Sequence, residues 1–166
     1  MPETTADMRQ MTGTGRRIED SSFDIVNREA WPHDFDRAHW EVVRRIIHAT
    51  ADFEYKHLTR FSSEAITRGA QAFVDGAPLY VDVKMIRVGL NARRLDHYGC
   101  AMHCFVSDED VITQAKAENS TRSAVGVRKA WQQGLLEGGI VAVGNAPTAL
   151  LELVRLIREE GVRPAL

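Results

Sequence analysis

The chain has 166 residues, 44% hydrophobic and 27% charged, a length that builds one domain with a real core and a composition that excludes a disordered chain. Lys and Arg number 21 against 23 Asp and Glu, for a formal charge of −2, and aromatic residues make up 7%, so both the basic excess and the stacking rings of a nucleic-acid partner are missing. No run approaches the roughly 18 apolar residues of a membrane span, and two cysteines, Cys100 and Cys104, cannot staple a small secreted framework.

The opening MPETTADMRQMTGTGRR has no apolar core of a signal peptide, so a cytoplasmic, reducing setting is expected. Residues 1–15 carry no periodicity and are expected to be a flexible tail, with residues 16–166 forming a single domain. IEDSSFDIVNREA predicts a short helix. Asp34 is placed to cap the next, in FDRAHWEVVRRIIHATAD, where Phe35, Trp40, Val43, Ile46 and Ile47 form an apolar stripe. SSEAITRGAQAFVDG opens on a capping serine and closes at Gly76. PLYVDV reads as a strand, KMIRVGL as one or two helical turns, DHYG as a turn and CAMHCFV as a second strand.

DEDVITQAKAE has acid at its start and lysine near its end, as the helix dipole favours. STRSAVGVRKAWQQGLLEGG predicts a helix stopped by Gly138 and Gly139. IVAVG is a short strand apolar on both faces. PTALLELVRLIREEG is a helix with Pro147 in its first turn and Gly161 at its end. Strands followed by helices predict an α/β fold: three layers, with a mostly parallel central sheet flanked by helices. VRPAL stands where the next strand would begin, so the sheet is expected to be incomplete at its C-terminal end.

Ligands of open parallel sheets bind at the carboxyl ends of the strands. The loop Gly144-Asn145-Ala146-Pro147-Thr148 joins such a strand to a helix. Gly144 permits close approach, the helix start offers unpaired N–H groups to an anion, and Asn145 and Thr148 add polar contacts. A well-capped turn accounts for the same residues equally well. On the second helix, Arg44 and Arg45 lie four and three residues before His48, on the flank of the stripe. His48 is the natural side chain for proton transfer near neutrality, against the plainer reading of a surface helix with routine arginines. His39, nearer the stripe, reads as structural.

Arg122 lies in a helix's first turn, where a cation opposes the dipole, and could clamp a carboxylate. Asp82 falls near the end of a strand, where it could meet a substrate N–H or cap the next helix. Met85 could wall an apolar ligand or simply pack in the core. His97, Cys100, His103 and Cys104 form no expected metal site. On a strand His103 points away from the two cysteines, which sit roughly 13 Å apart at about 3.3 Å per residue.

These pieces resemble the precorrin-8X methylmutase family. The most specific is VAVGNAPTAL at 141–150, with SSF at 21–23, RRIIHA at 44–49, GAPLYVD at 76–82, DVKM at 82–85 and TRSA at 121–124 in the same order. The resemblance runs from about Ile18 to Leu166. It implies a homodimeric α/β isomerase of cobalamin biosynthesis. The reaction implied moves a methyl group from C11 to C12 of an acidic corrinoid, with no metal or organic cofactor doing the chemistry. By resemblance His48 is the proton donor to the macrocycle. Ser22, Asp82, Arg122 and Gly144-Asn145-Ala146 match or adjoin substrate-binding positions, with Arg44 and Arg45 as further carboxylate partners. Family members continue past the point where VRPAL ends, through a further strand, a glycine-rich loop and a last helix. A non-catalytic corrinoid-binding protein on the same fold is the alternative reading.

Overall fold

A computed structural model describes residues 12–166, and the chain divides into two compact units, Met1–Ile66 and Thr67–Leu166. The expected tail lies outside the described residues up to residue 11. From there Thr12 already caps a helix, its hydroxyl accepting from the Gly15 N–H at 3.1 Å.

In the first unit that helix, α1 (Gly13–Glu29), is longer than the short segment expected from IEDSSFDIVNREA. The second, α2 (Arg37–Thr50), starts two residues later than Asp34 would place it. Asp36 is the cap, and its carboxylate accepts from the His39 N–H at 2.9 Å. That bond is the main reason the Asp36 carboxyl is held below its ordinary value. The two helices pack through Val26, Ala30, Val43 and Ile47, all buried, and Phe35, Trp40, Phe53, Tyr55 and Phe61 close over them. Of the expected stripe, Val43 and Ile47 are fully inside and Ile46 is half-buried. A one-turn helix, α3 (Tyr55–Leu58), escapes the sequence because four residues show no period. Lys56 fixes it by donating to the carbonyls of Ala30 and Pro32 at 3.0 and 3.3 Å.

The second unit is built on a parallel sheet. After α4 (Ala65–Val74) come β1 (Leu79–Val81), α5 (Lys84–Gly89), α6 (Ala92–Tyr98), β2 (Met102–His103), α7 (Glu109–Ala117), α8 (Arg122–Gln132), β3 (Ile140–Ala142) and α9 (Pro147–Glu159). The strand order is β2-β1-β3, with both pairings parallel. Alternation along β1 makes the layers. Leu79 and Val81 join Ala72 of α4, Leu95 of α6 and Cys100 on one face. Tyr80 joins Val127 and Ala130 of α8 and Ala149 and Leu156 of α9 on the other. A strand buried on both faces is the parallel-sheet signature, and the three-layer α/β expectation holds in this unit.

Three local readings change. The segment before Gly99 is a full helix, α6, with Gly99 at φ 72° as its left-handed stop, where DHYG reads only as a turn. Helix α8 ends at Gln132, and Gly134 at φ 72° stops it well before Gly138. The strand expected over CAMHCFV shrinks to two residues. VRPAL lies beside β3: the Ala165 N–H donates to the Gly139 carbonyl at 2.9 Å, and the Val141 N–H to the Leu166 carbonyl at 2.8 Å.

Candidate functional site

The residues singled out by the sequence fall into two groups, one in each unit. In the first, α1 and α2 run antiparallel and three polar bridges join them. Glu19 pairs with Arg45 at 3.1 Å, Ser22 Oγ lies 2.8 Å from His48 Nδ1, and Asn27 accepts from the Trp40 indole N–H at 2.9 Å. The apolar seam of Phe23, Val26, Val43 and Ile47 runs alongside them. Ser22 and His48 are both half-buried. The Phe23 ring sits 4.9 Å from the imidazole, tilted by 41°.

Arg44 and Arg45 do not bond to His48. Their guanidiniums lie 4.5 and 5.0 Å from the centre of the Phe23 ring, and their charges are met by Glu41 at 2.5 Å and Glu19 at 3.1 Å. His48 Nε2 makes no hydrogen bond among the described residues and reaches solvent. An imidazole held at one nitrogen and open at the other is built to pass a proton. His39 is engaged within its own unit, its ring meeting Asp36 at 2.9 Å and the edge of Phe61 at 4.5 Å. Glu19 and Phe23 are the residues missed here. No local pattern marks either, since both act across the two helices.

In the second unit the sheet creates the site. From β1 the chain moves to β2 on one side, then crosses back to β3 on the other. The loops leaving β1 and β3 therefore diverge, α5 and α6 toward one face and α9 toward the other, and a crevice is expected where they part. Asp82 and Gly144 stand at that point. Asp82 is the buried charged residue of the described core, and its Oδ1 accepts from the Gly144 N–H at 2.9 Å. Its Oδ2 is buried with no hydrogen-bond partner.

Gly144 sits close to its neighbours: a Cβ there would lie 3.3 Å from Val83 Cγ2 and 3.4 Å from Ile86 Cδ1, and those methyls would have to shift slightly to admit it. Asn145 is exposed, and Ala146, at the cap position of α9, supplies no side-chain acceptor. Thr148 Oγ1 accepts from Thr121 Oγ1 at 2.7 Å, and Thr121 caps α8 by accepting the Ala124 N–H at 3.2 Å. That link brings the starts of α8 and α9 together, so Arg122, first in α8, lies close to the Gly144 loop in the fold. Arg122 lines an open cleft of about 650 Å³ with Lys116, Asn119, Ser120 and Thr121. Met85 projects from α5 and is 79% exposed, which removes the core-packing explanation. Lys116 was missed, as was the bond between Thr121 and Thr148, which no spacing rule predicts.

The Tyr80 hydroxyl, between Asp82 and Cys104, is pushed far above its ordinary value, mainly by burial. It is therefore a neutral core group. Burial also raises the Cys100 thiol. Among the described residues no three His, Cys, Asp or Glu side chains gather to hold a metal, and no helix is long and apolar enough to cross a membrane.

A sequence model of precorrin-8X methylmutases matches residues 17–166. A cobalt-precorrin-8 methylmutase of Leptospira interrogans is 55% identical over 159 residues, covering 96% of this chain and 72% of that protein. One from Priestia megaterium is 39% identical over 160 residues, covering 96% and 70%. The crystal structure of a precorrin-8x methyl mutase from Thermus thermophilus superposes with a TM-score of 0.83 at 52% identity, covering 91% of this chain and 72% of that one.

Proposed function

The chain belongs to the precorrin-8X methylmutase family, isomerases of cobalamin biosynthesis, and from that membership we propose that it moves a methyl group from C11 to C12 of precorrin-8X or its cobalt form. The observation that carries this reading is the 55% identity extending over 96% of the chain. The relatives bear enzyme names, which favours turnover over the alternative of a non-catalytic corrinoid binder.

In this proposal His48 is the general acid. The half-buried ring with its open Nε2 supports the role. Protonating the macrocycle draws electron density from the C11–methyl bond and eases migration. Because the reaction is an isomerisation, the proton is returned afterwards. The substrate is a broad apolar ring bearing many carboxylates, so it suits arginines and helix starts beside apolar walls. Arg122 is assigned a carboxylate clamp, and Asn145, Ala146 and Thr148 line the pocket around the Gly144 loop. Asp82 fixes that loop, and exposed Met85 offers a soft apolar wall.

Arg44 and Arg45 already have carboxylate partners. Their role as substrate clamps then requires the substrate to displace Glu41 and Glu19. A homodimer in the cytoplasm completes the proposal, and sedimentation of the purified chain tests the dimer.

The test of the function has two arms. Absorbance titration with hydrogenobyrinic acid is expected to give a saturable one-site shift in both the parent chain and His48→Ala. Turnover of precorrin-8X is expected in the parent and to fall by about 10²–10⁴ in the variant. A variant with full turnover removes His48 from the mechanism, and a folded parent with neither binding nor turnover removes the proposed function.

A further inference from the structure

The catalytic imidazole has a neighbour whose chemistry goes beyond substrate contact. Resting on the reading of His48 as the acid, we propose that Ser22 is a positioning residue. Its hydroxyl accepts the Nδ1 proton of His48, holds the ring, and leaves Nε2 as the atom that gives the proton and takes it back.

The 2.8 Å contact joins Ser22 on α1 to His48 on α2. A serine hydroxyl can accept or donate. The acid form of the imidazole settles the direction, because an imidazolium carries a proton on both nitrogens and Ser22 can then only accept. When the Nε2–H bond breaks and the proton bonds to the macrocycle, the ring is left neutral with its remaining proton on Nδ1. The bond to Ser22 therefore survives the transfer unchanged. When the proton returns, it bonds again at Nε2. Were Ser22 the donor, the neutral ring would carry its only proton on Nε2, and losing it would leave an imidazolate.

The surroundings keep the two groups opposed. Glu19–Arg45 and Asn27–Trp40 brace the same pair of helices on either side. The Phe23 ring, 4.9 Å away, limits swinging of the imidazole. Arg44 and Arg45, on the same helix as His48, lie over the Phe23 ring that the imidazole meets. Each is paired with a carboxylate, Glu41 or Glu19, and neither touches an imidazole nitrogen.

Two readouts test the proposal. Nitrogen-15 NMR of the His48 ring in the full chain, above its titration, is expected to show the Nδ1–H tautomer. In Ser22→Ala it is expected to move toward the Nε2–H form that free imidazole side chains prefer. Alanine suits a helix at least as well as serine, so this variant keeps its fold. With precorrin-8X, Ser22→Ala is expected to lower kcat about 10- to 100-fold with KM little changed, and Ser22→Thr, which restores a hydroxyl, to recover most of it.

An unchanged tautomer in Ser22→Ala overturns the proposal, as does a raised KM at full kcat, which would make Ser22 a substrate contact. Either result leaves His48 in place. Full turnover by His48→Ala instead removes the reading beneath it, while the nitrogen shifts still report whether Ser22 sets the tautomer.

Discussion

The α1–α2 hairpin and the strand ends of the second unit hold functional groups in opposite ways. In the hairpin, polar side chains meet across two helices at half-exposed positions, and an apolar seam beside them supplies the stability. At the strand ends, one fully buried carboxylate ties a loop 62 residues further along, and the sheet supplies the geometry. Exposed pairs are weak and replaceable, whereas a buried polar bond is costly to leave half-made. The hairpin can thus vary its polar bridges freely, except where one of them orients a reacting ring. The strand ends cannot lose Asp82 without disturbing the loop.

The largest effect that sharpens this comparison is expected from the hairpin's seam. Ile47→Ala should cost about 2–5 kcal/mol, read as a lowered urea midpoint. A cost under about 1 kcal/mol would mean that the polar bridges, and not the seam, hold the helices.

Next comes Asp82→Ala, which strips the Gly144 N–H of its acceptor and should cost about 1–3 kcal/mol with weaker corrinoid binding. Asp82→Asn keeps an acceptor and should lie between the variant and the parent. Equal binding by all three would detach the buried carboxylate from the site.

Removing the exposed bridge, by Glu19→Gln, should cost no more than about 1 kcal/mol, and less in high salt. The same denaturation experiment reads it, and a larger loss would erase the contrast between the regions.

Acid sharpens the comparison further in the second unit. Glu118 is held below its ordinary value first by Gln114 and then by Arg128, and Asp110 first by its hydrogen bond to Lys129. A carboxyl lowered on folding contributes stability above its unfolded value and loses it as pH falls through the folded one. Loss of the α7–α8 pairing should therefore begin near about pH 4 and continue below it, visible by hydrogen exchange in those helices. Asp110→Asn together with Glu118→Gln should flatten that dependence.

The smallest effect is expected from Tyr80→Phe. The hydroxyl is buried without a protein partner, so its removal should change stability by less than about 1 kcal/mol.

Much of this protein was legible from its amino-acid order. Apolar spacing located α2, α9 and the buried strands, because burying one face of a helix or both faces of a strand leaves a period in the sequence. The run GNAPT at a strand end marked the loop, and His48 beside two arginines marked the imidazole. What stayed hidden was every contact that depends on which elements become neighbours. Nothing local pairs Ser22 with His48, Asp82 with Gly144 or Thr121 with Thr148, since each bond is closed by packing of elements distant in the chain. The one-turn α3, held by Lys56 on the carbonyls of Ala30 and Pro32, was decided in the same way. Local propensity differs little over two to four residues, and tertiary contacts outweigh it. The sequence by itself determined the family, the residue types available for the chemistry and the periodic elements that carry them. Only the tertiary structure decided which nitrogen of His48 is held and which is open, because that follows from where one helix lies against another.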